Sequence, residues 1–438
     1  MSPAVARSMM SRWLHTRLLE EAIRLYFSKR SVGWLSEDEM VATFEALEEA
    51  VSEESKAVFL AIWVENGGDS TDFDQIWGEY VSGMRRVEEK LKKQPFRQEA
   101  RRGAAAYVAM FQQMQVPHSV QEISQWAFIQ YNLVTNEMDR IAALMGYSSW
   151  KMAWQQYTPE GEPLPDDERL ATIYQTEAEH VLPVLIQNEL IPPLPPGCGW
   201  TVQETPAPIR TVIPLLACDM APYGGTERNA LLYVTPIAGD DAARRQHAMV
   251  KRLWTAHELG GHAFGSFIAP EVVPINYVLD WETSLWGHEA VAFTMECEFL
   301  LCPGVNPLLA EMLGMLHGRA WRYARILAET AYHTTDQPFE EIVAEYAERS
   351  QLSLQVALRD MRRAAQKIGQ FLAYCMGASA LQQMGNYYEG GVKEALAYYQ
   401  KMCGGYVLPN LFLMADGKIA DPAEFKWLCE LDYGVQVA

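Results

Sequence analysis

The chain has 438 residues, 49% of them hydrophobic, which supplies a sizeable core and argues against disorder. Against 56 acidic side chains stand only 36 basic ones, a formal charge of −20. That balance excludes nucleic acid as an expected partner, because phosphate binding needs a basic footprint. Seven cysteines, an odd number without a C-x-x-C pair, read as reduced thiols in a cytoplasmic protein.

Arg7, Arg12 and Arg17 are followed closely by Glu20 and Glu21 with no apolar run, so no signal peptide is expected. Nowhere do about 18 apolar residues follow one another, so neither a transmembrane helix nor a membrane partner is expected. Leu14, Leu18, Ala22 and Tyr26 form an apolar stripe at helical spacing, and Ser36 with Glu39 resembles a capping box. Further helical stretches are predicted near 54–66, 74–93, 97–115, 119–144 and 167–189. Together they make an N-terminal helical lobe over residues 1–190.

Residues 191–215 are rich in proline (Pro192, Pro193, Pro195, Pro196, Pro206, Pro208, Pro214) and read as a connector. Thr211–Ile213 and Ala230–Thr235 read as two strands around a turn at Pro222–Gly225. The expectation is a small antiparallel β element, either an edge that binds an extended substrate or a plain structural hairpin. From 241 onward the pattern is helical again, so that residues 216–438 form a second helical lobe.

That lobe carries His257-Glu258-Leu259-Gly260-Gly261-His262. In the common zinc-protease motif H-E-x-x-H the two imidazoles, at i and i+4, stand about 40° apart on one helix face. Here they are at i and i+5, about 140° apart on an ideal α-helix. Both face one metal only if the helix takes in an extra residue, as a π-bulge does. The glycine pair reads as an adaptation to that distortion. Catalytic zinc usually has three protein ligands and an open position. Glu289, at the start of the next helical stretch, is assigned as the third ligand, with His288 as its competitor. Glu296 is seven residues on, on the same helix face, and is assigned to hold a ligand histidine by its other ring nitrogen. Glu258 takes the general-base role.

Two later segments supply candidate oxyanion donors. One is Glu329–Thr334, which contains His333. The other is a long helix expected from about Ser353 to Met384, where Arg363, Gln370, Tyr374 and Gly377 fall on one stripe. That stripe reads as a cleft wall or as a buried hydrogen-bond network.

These motifs resemble those of a large bacterial family of helical zinc metallopeptidases long catalogued as a domain of unknown function. Its members carry H-E-x-x-P-G-H-H, E-G-W-A-L-Y-x-E, D-x-G-x-H and R-Y-x-x-x-P-G-Q-A-x-x-Y-x-x-G in that order. Here Glu289 and Glu296 match the ends of the second motif, and Glu329 and His333 match the third. Arg363, Gly369, Gln370, Tyr374 and Gly377 match the fourth, and Gly404–Pro409 resembles the closing segment. The first motif is one residue short and lacks its Pro and second His; Ala290-Val291 replaces G-W, and Ile368 replaces Pro. The resemblance spans roughly 220–415. It implies a mainly α, two-lobed cleft like that of carboxypeptidase Taq and the thimet oligopeptidase-like gluzincins, and the His spacing is similar to dipeptidyl-peptidase III.

The sequence therefore predicts a zinc hydrolase of peptide or peptide-like amide bonds. Its metal ligands would be His257, His262 and Glu289, its base Glu258, and its oxyanion donors Tyr374 and His333. Arg363 and Gln370 would line the substrate cleft. Two alternatives stand beside it. Two His and a carboxylate also make an Fe(II) site, as in a biosynthetic metalloenzyme, and a non-catalytic binding protein would keep the cleft without the chemistry.

Overall fold

The computed structural model describes most of residues 101–264 and 285–372, with isolated positions between 51 and 89 and between 391 and 394. The fold is mainly α. In chain order come α1 (Gly103–Gln113), α2 (Val120–Leu144), α3 (Trp150–Gln156) and α4 (Asp167–Gln187), then β1 (Cys198–Glu204), β2 (Leu216–Asp219) and β3 (Arg228–Val234). Next is α5 (Asp241–Thr255), which runs into a π segment (Ala256–Ala263). The chain continues through α6 (Leu285–Leu301), α7 (Leu309–Thr334), α8 (Phe339–Ser350) and α9 (Leu354–Gln366).

Helix starts are set by side chains that accept the otherwise unpaired first N–H groups. Ser119 caps α2 in a capping box with Glu122, while Asp166 caps α4 and Asp240 caps α5. One apolar core runs without a break from Tyr107 to Leu372 and takes in both sides of the proline-rich segment. Its central member is α7, which packs on α2, α5, α8 and α9 and is buried on every side. The polar residues of α7 therefore lie inside the protein, where each needs a partner. Arg325 meets Asp360 of α9 through two hydrogen bonds at 2.8 and 3.0 Å. His317 lies flat on Trp154, ring centroids 3.6 Å apart, and bonds the Ser350 carbonyl at 2.6 Å.

The sheet differs from the antiparallel element expected. Its order is β1-β3-β2, with β2 antiparallel to β3 but β1 parallel to β3, in register from Cys198↔Arg228 to Glu204↔Val234. β1 lies within the stretch read as a connector. Prolines bracket it at 195–196 and 206 without entering it, so they do not prevent pairing. Ile213 is not in a strand; β2 begins at Leu216. Thr211, Val212 and the turn at 222–225 lie outside the described residues, as do the first helical stripe and Ser36 with Glu39.

The long helix expected from 353 is also interrupted. α9 ends at Gln366, and Gly369 sits in a turn with φ +83°, a left-handed conformation that glycine adopts without a Cβ penalty. Among the described residues no helix is long and apolar enough to cross a membrane.

Candidate metal centre

The π segment carries the site. α5 is regular up to Thr255, and the backbone then widens by one residue, so that Phe264 N–H donates to Leu259 O five residues back. The extra residue brings His257 and His262 onto one side, ring centroids 4.9 Å apart at 79°. The i+5 spacing and the π geometry thus account for each other.

The two glycines have a different reason from the one the spacing implied. Neither has a positive φ. A Cβ on Gly261 would stand 2.4 Å from Cα of Ala292 and 3.1 Å from its amide nitrogen, so backbone meets backbone there. On Gly260 a Cβ would fall 2.6 Å from Leu185 Cδ1 and 3.1 Å from Met295 Cγ. The glycines let the π segment lie directly on α6, and this close approach presents the acids of α6 to the histidines.

Two acids of α6 arrive there. Glu289 Oε2 lies 3.7 Å from His257 Nε2, and Glu289 Oε1 lies 3.8 Å from His262 Nε2. Glu296, two turns on, meets His257 Nδ1 at 2.7 Å. With Nδ1–H donated to Glu296, the neutral tautomer of His257 turns the lone pair of Nε2 toward Glu289 and His262. Burial alone lowers the pKa of His257. The hydrogen bond to Glu296 and the charges of Glu296, Glu258 and Glu289 outweigh it, and the net direction is upward. The carboxylates of Glu289 and Glu296 are both buried. Concentrated anionic charge of this kind is costly without a cation.

Glu258 is the neighbour of His257 on the π segment itself. Its Oε2 accepts the backbone N–H of Cys218 on β2 at 2.8 Å, so the sheet fixes the carboxylate in place. Ligand atoms of His257, Glu258 and His262 lie within 4.8 Å of one another, a spacing that a single metal ion can bridge. Glu258 and Glu289 thus both offer a carboxylate oxygen. Glu289 suits a ligand better, since its two oxygens address the two Nε2 atoms at distances near the roughly 3.4 Å between ligands of a tetrahedral zinc. Glu258 already accepts an amide N–H with one of its oxygens.

Beside His257 stands Phe293 of α6, its ring 4.6 Å from the imidazole at 66°. On the Phe293 ring rests the guanidinium of Arg322 from α7, 3.7 Å from the centroid. Sequence reasoning missed Phe293, Arg322 and the Cys218 amide. The first two read as ordinary helix residues, and only the tertiary arrangement brings them to His257.

His333 falls in a second cluster. It is buried beside Tyr107 of α1 and its neighbour Tyr332, with centroid distances of 5.2 and 4.9 Å. The same cluster contains Glu329, which accepts Tyr107 O–H at 3.2 Å and Gly369 N–H at 2.7 Å. Burial drives the Glu329 carboxyl up to about 8, although those donors pull it down. The structure therefore brings together five of the expected residues, His257, Glu258, His262, Glu289 and Glu296, and sets His333 within an aromatic shell. The side chains of His288 on α6 and Arg363 on α9, and all of Gln370, Tyr374 and Gly377, lie outside the described residues.

Two solved structures share the fold at low sequence identity. A candidate lipoprotein from Colwellia psychrerythraea superposes with a TM-score of 0.59 at 14% identity, covering 88% of this chain and 68% of that one. A candidate lipoprotein of unknown function from Shewanella oneidensis gives 0.55 at 16% identity, covering 87% and 70%. No curated protein sequence matches the chain. A family model matches residues 76–395, which include both clusters. By that match the chain belongs to the family described as "Bacterial protein of unknown function (DUF885)".

Proposed function

We propose that this protein is a zinc-dependent hydrolase of peptide or peptide-like amide bonds. The observation that carries the reading is the π segment. It gathers two imidazoles and a carboxylate within metal-ligand spacing and sets Glu289 across from both Nε2 atoms. His257, His262 and Glu289 would hold the metal, and Glu296 would orient His257 through Nδ1. Bound zinc supplies an acidified water and polarises a carbonyl.

The chain's own residues do the rest. Glu258, held by the Cys218 amide, would accept the proton of the attacking water and deliver it to the departing amine. β2 both fixes Glu258 and borders the site, so a substrate lying along this part of the sheet would bring its carbonyl near that carboxylate. A cytoplasmic setting fits Cys198, Cys218, Cys297 and Cys302, none of which forms a disulfide. The same donor set accepts iron(II), so the element bound is read by elemental analysis.

Glu258→Gln tests the assignment. It keeps the size and the acceptor for Cys218 but removes the base. We expect full zinc content with turnover of a peptide library lowered by at least about 100-fold. Unchanged turnover would remove Glu258 from the mechanism.

A further inference from the structure

Two buried arginines of α7, Arg319 and Arg322, each have an Nη1 without a hydrogen-bond partner. Arg319 donates through Nη2 to Cys297 Sγ, and of the two it is Arg322 that stacks on Phe293. Only 6% of Arg322 is exposed, and its Nη1 is fully buried. Three residues along the same helix, Arg325 is neutralised by both oxygens of Asp360. Among the described residues no carboxylate forms an ion pair with Arg322; its one contact of this kind is the face of Phe293. Stacking satisfies part of the charge but none of the in-plane N–H donors, and a guanidinium buried that way is costly unless an anion completes it.

Its position says which anion. The Phe293 ring that carries the guanidinium at 3.7 Å is the ring that meets His257 at 4.6 Å. The arginine and a proposed metal ligand thus share one aromatic neighbour, which keeps them within little more than two residue lengths of about 3.8 Å each. A peptide with its scissile carbonyl at the histidines would bring the next residue's carboxylate to the guanidinium, which binds such groups through paired N–H donors.

We infer that Arg322 is a specificity-determining residue that receives a carboxylate of the substrate, on the residue flanking the bond to be cut. This deepens the hydrolase reading and rests on it for the position of that bond. The carboxylate is either the free C-terminus or an acidic side chain.

The test compares three probes by calorimetry on zinc-supplied Glu258→Gln protein, where binding is not complicated by turnover. They are acetyl-alanyl-alanine, its C-terminal amide, and acetyl-alanyl-glutamate amide. The expected result is binding at least about tenfold tighter for one carboxylate-bearing probe than for the neutral amide. Preference for the first identifies a C-terminal carboxylate, preference for the third an acidic side chain. Arg322→Met should abolish the preference and Arg322→Lys should keep part of it, with both variants matching the parent in circular dichroism. Equal binding of all three probes, or a preference that survives Arg322→Met, would overturn the inference. If the lysine variant alone folds, its weaker preference decides. Zinc content is measured in the same samples. A chain that takes no zinc would defeat the hydrolase reading, while the acid-versus-amide comparison would still decide the role of Arg322.

Discussion

At the scale of single residues the site is a charge problem. Glu258, Glu289 and Glu296 surround two imidazoles in a region largely withdrawn from water. Glu296 pairs with His257 Nδ1 and so orients Nε2 without touching the metal position itself. Substituting Glu296→Ala should weaken zinc affinity about 10–100-fold while leaving the stoichiometry attainable at high zinc. A zinc titration with a competing chelator reads this, and an unchanged affinity would mean that Glu296 is only a packing partner. The grouping of His257, Glu258, His262, Glu289 and Glu296 was legible because a carboxylate or imidazole at fixed spacing in an apolar helix has few explanations. Arg322 was not. A charged residue every three positions along a helix reads as a solvated face, and nothing local to α7 tells that the helix is enclosed on all sides.

At the scale of elements, the π segment and α6 act as one unit. Its fit depends on absent side chains at two positions. Gly261 faces the backbone of Ala292, which cannot yield, whereas Gly260 faces the flexible ends of Leu185 and Met295. Gly261→Ala should therefore destabilise more than Gly260→Ala, by about 1–3 kcal/mol, and should also lower zinc content by moving Glu289 away from the histidines. Urea unfolding of the two variants measures the order, and a reversed order would refute the packing account. The sequence revealed the glycines and the need for a π-bulge from the i+5 spacing. It did not reveal their contacts, because Leu185, Ala292 and Met295 come from other elements. β1 escaped for a similar reason, since the prolines around Cys198–Glu204 masked a segment whose strand character comes from pairing with β3.

For the whole molecule, three buried titratable groups outside the candidate metal centre shape the response to pH. Burial lowers His247 to about 3 and His317 to about 4, each from 6.5. The unfolded chain therefore binds more protons than the folded one below pH 6.5, and stability falls as the medium is acidified. Glu329 works in the opposite direction. Its folded value near 8 exceeds the 4.5 of an ordinary glutamate, so the stability it contributes is present below 4.5 and is lost as the pH rises toward 8. Between 4.5 and 6.5 the two histidines outweigh the one acid, and above 6.5 only Glu329 acts among the three. Their combined contribution is greatest near pH 6.5. Thermal unfolding of Glu329→Gln should lose the part of the decline between pH 6.5 and 8 that comes from this carboxyl. A decline as steep as that of the parent would place the titrating group elsewhere.

The measurement that tests the central claim most directly is the elemental metal content of the purified, tag-free chain beside its His262→Ala variant, both supplied with zinc and then desalted. The π-segment site should hold about one zinc per chain in the parent and lose it in the variant. A parent that retains no metal, or a variant that retains as much as the parent, would contradict it.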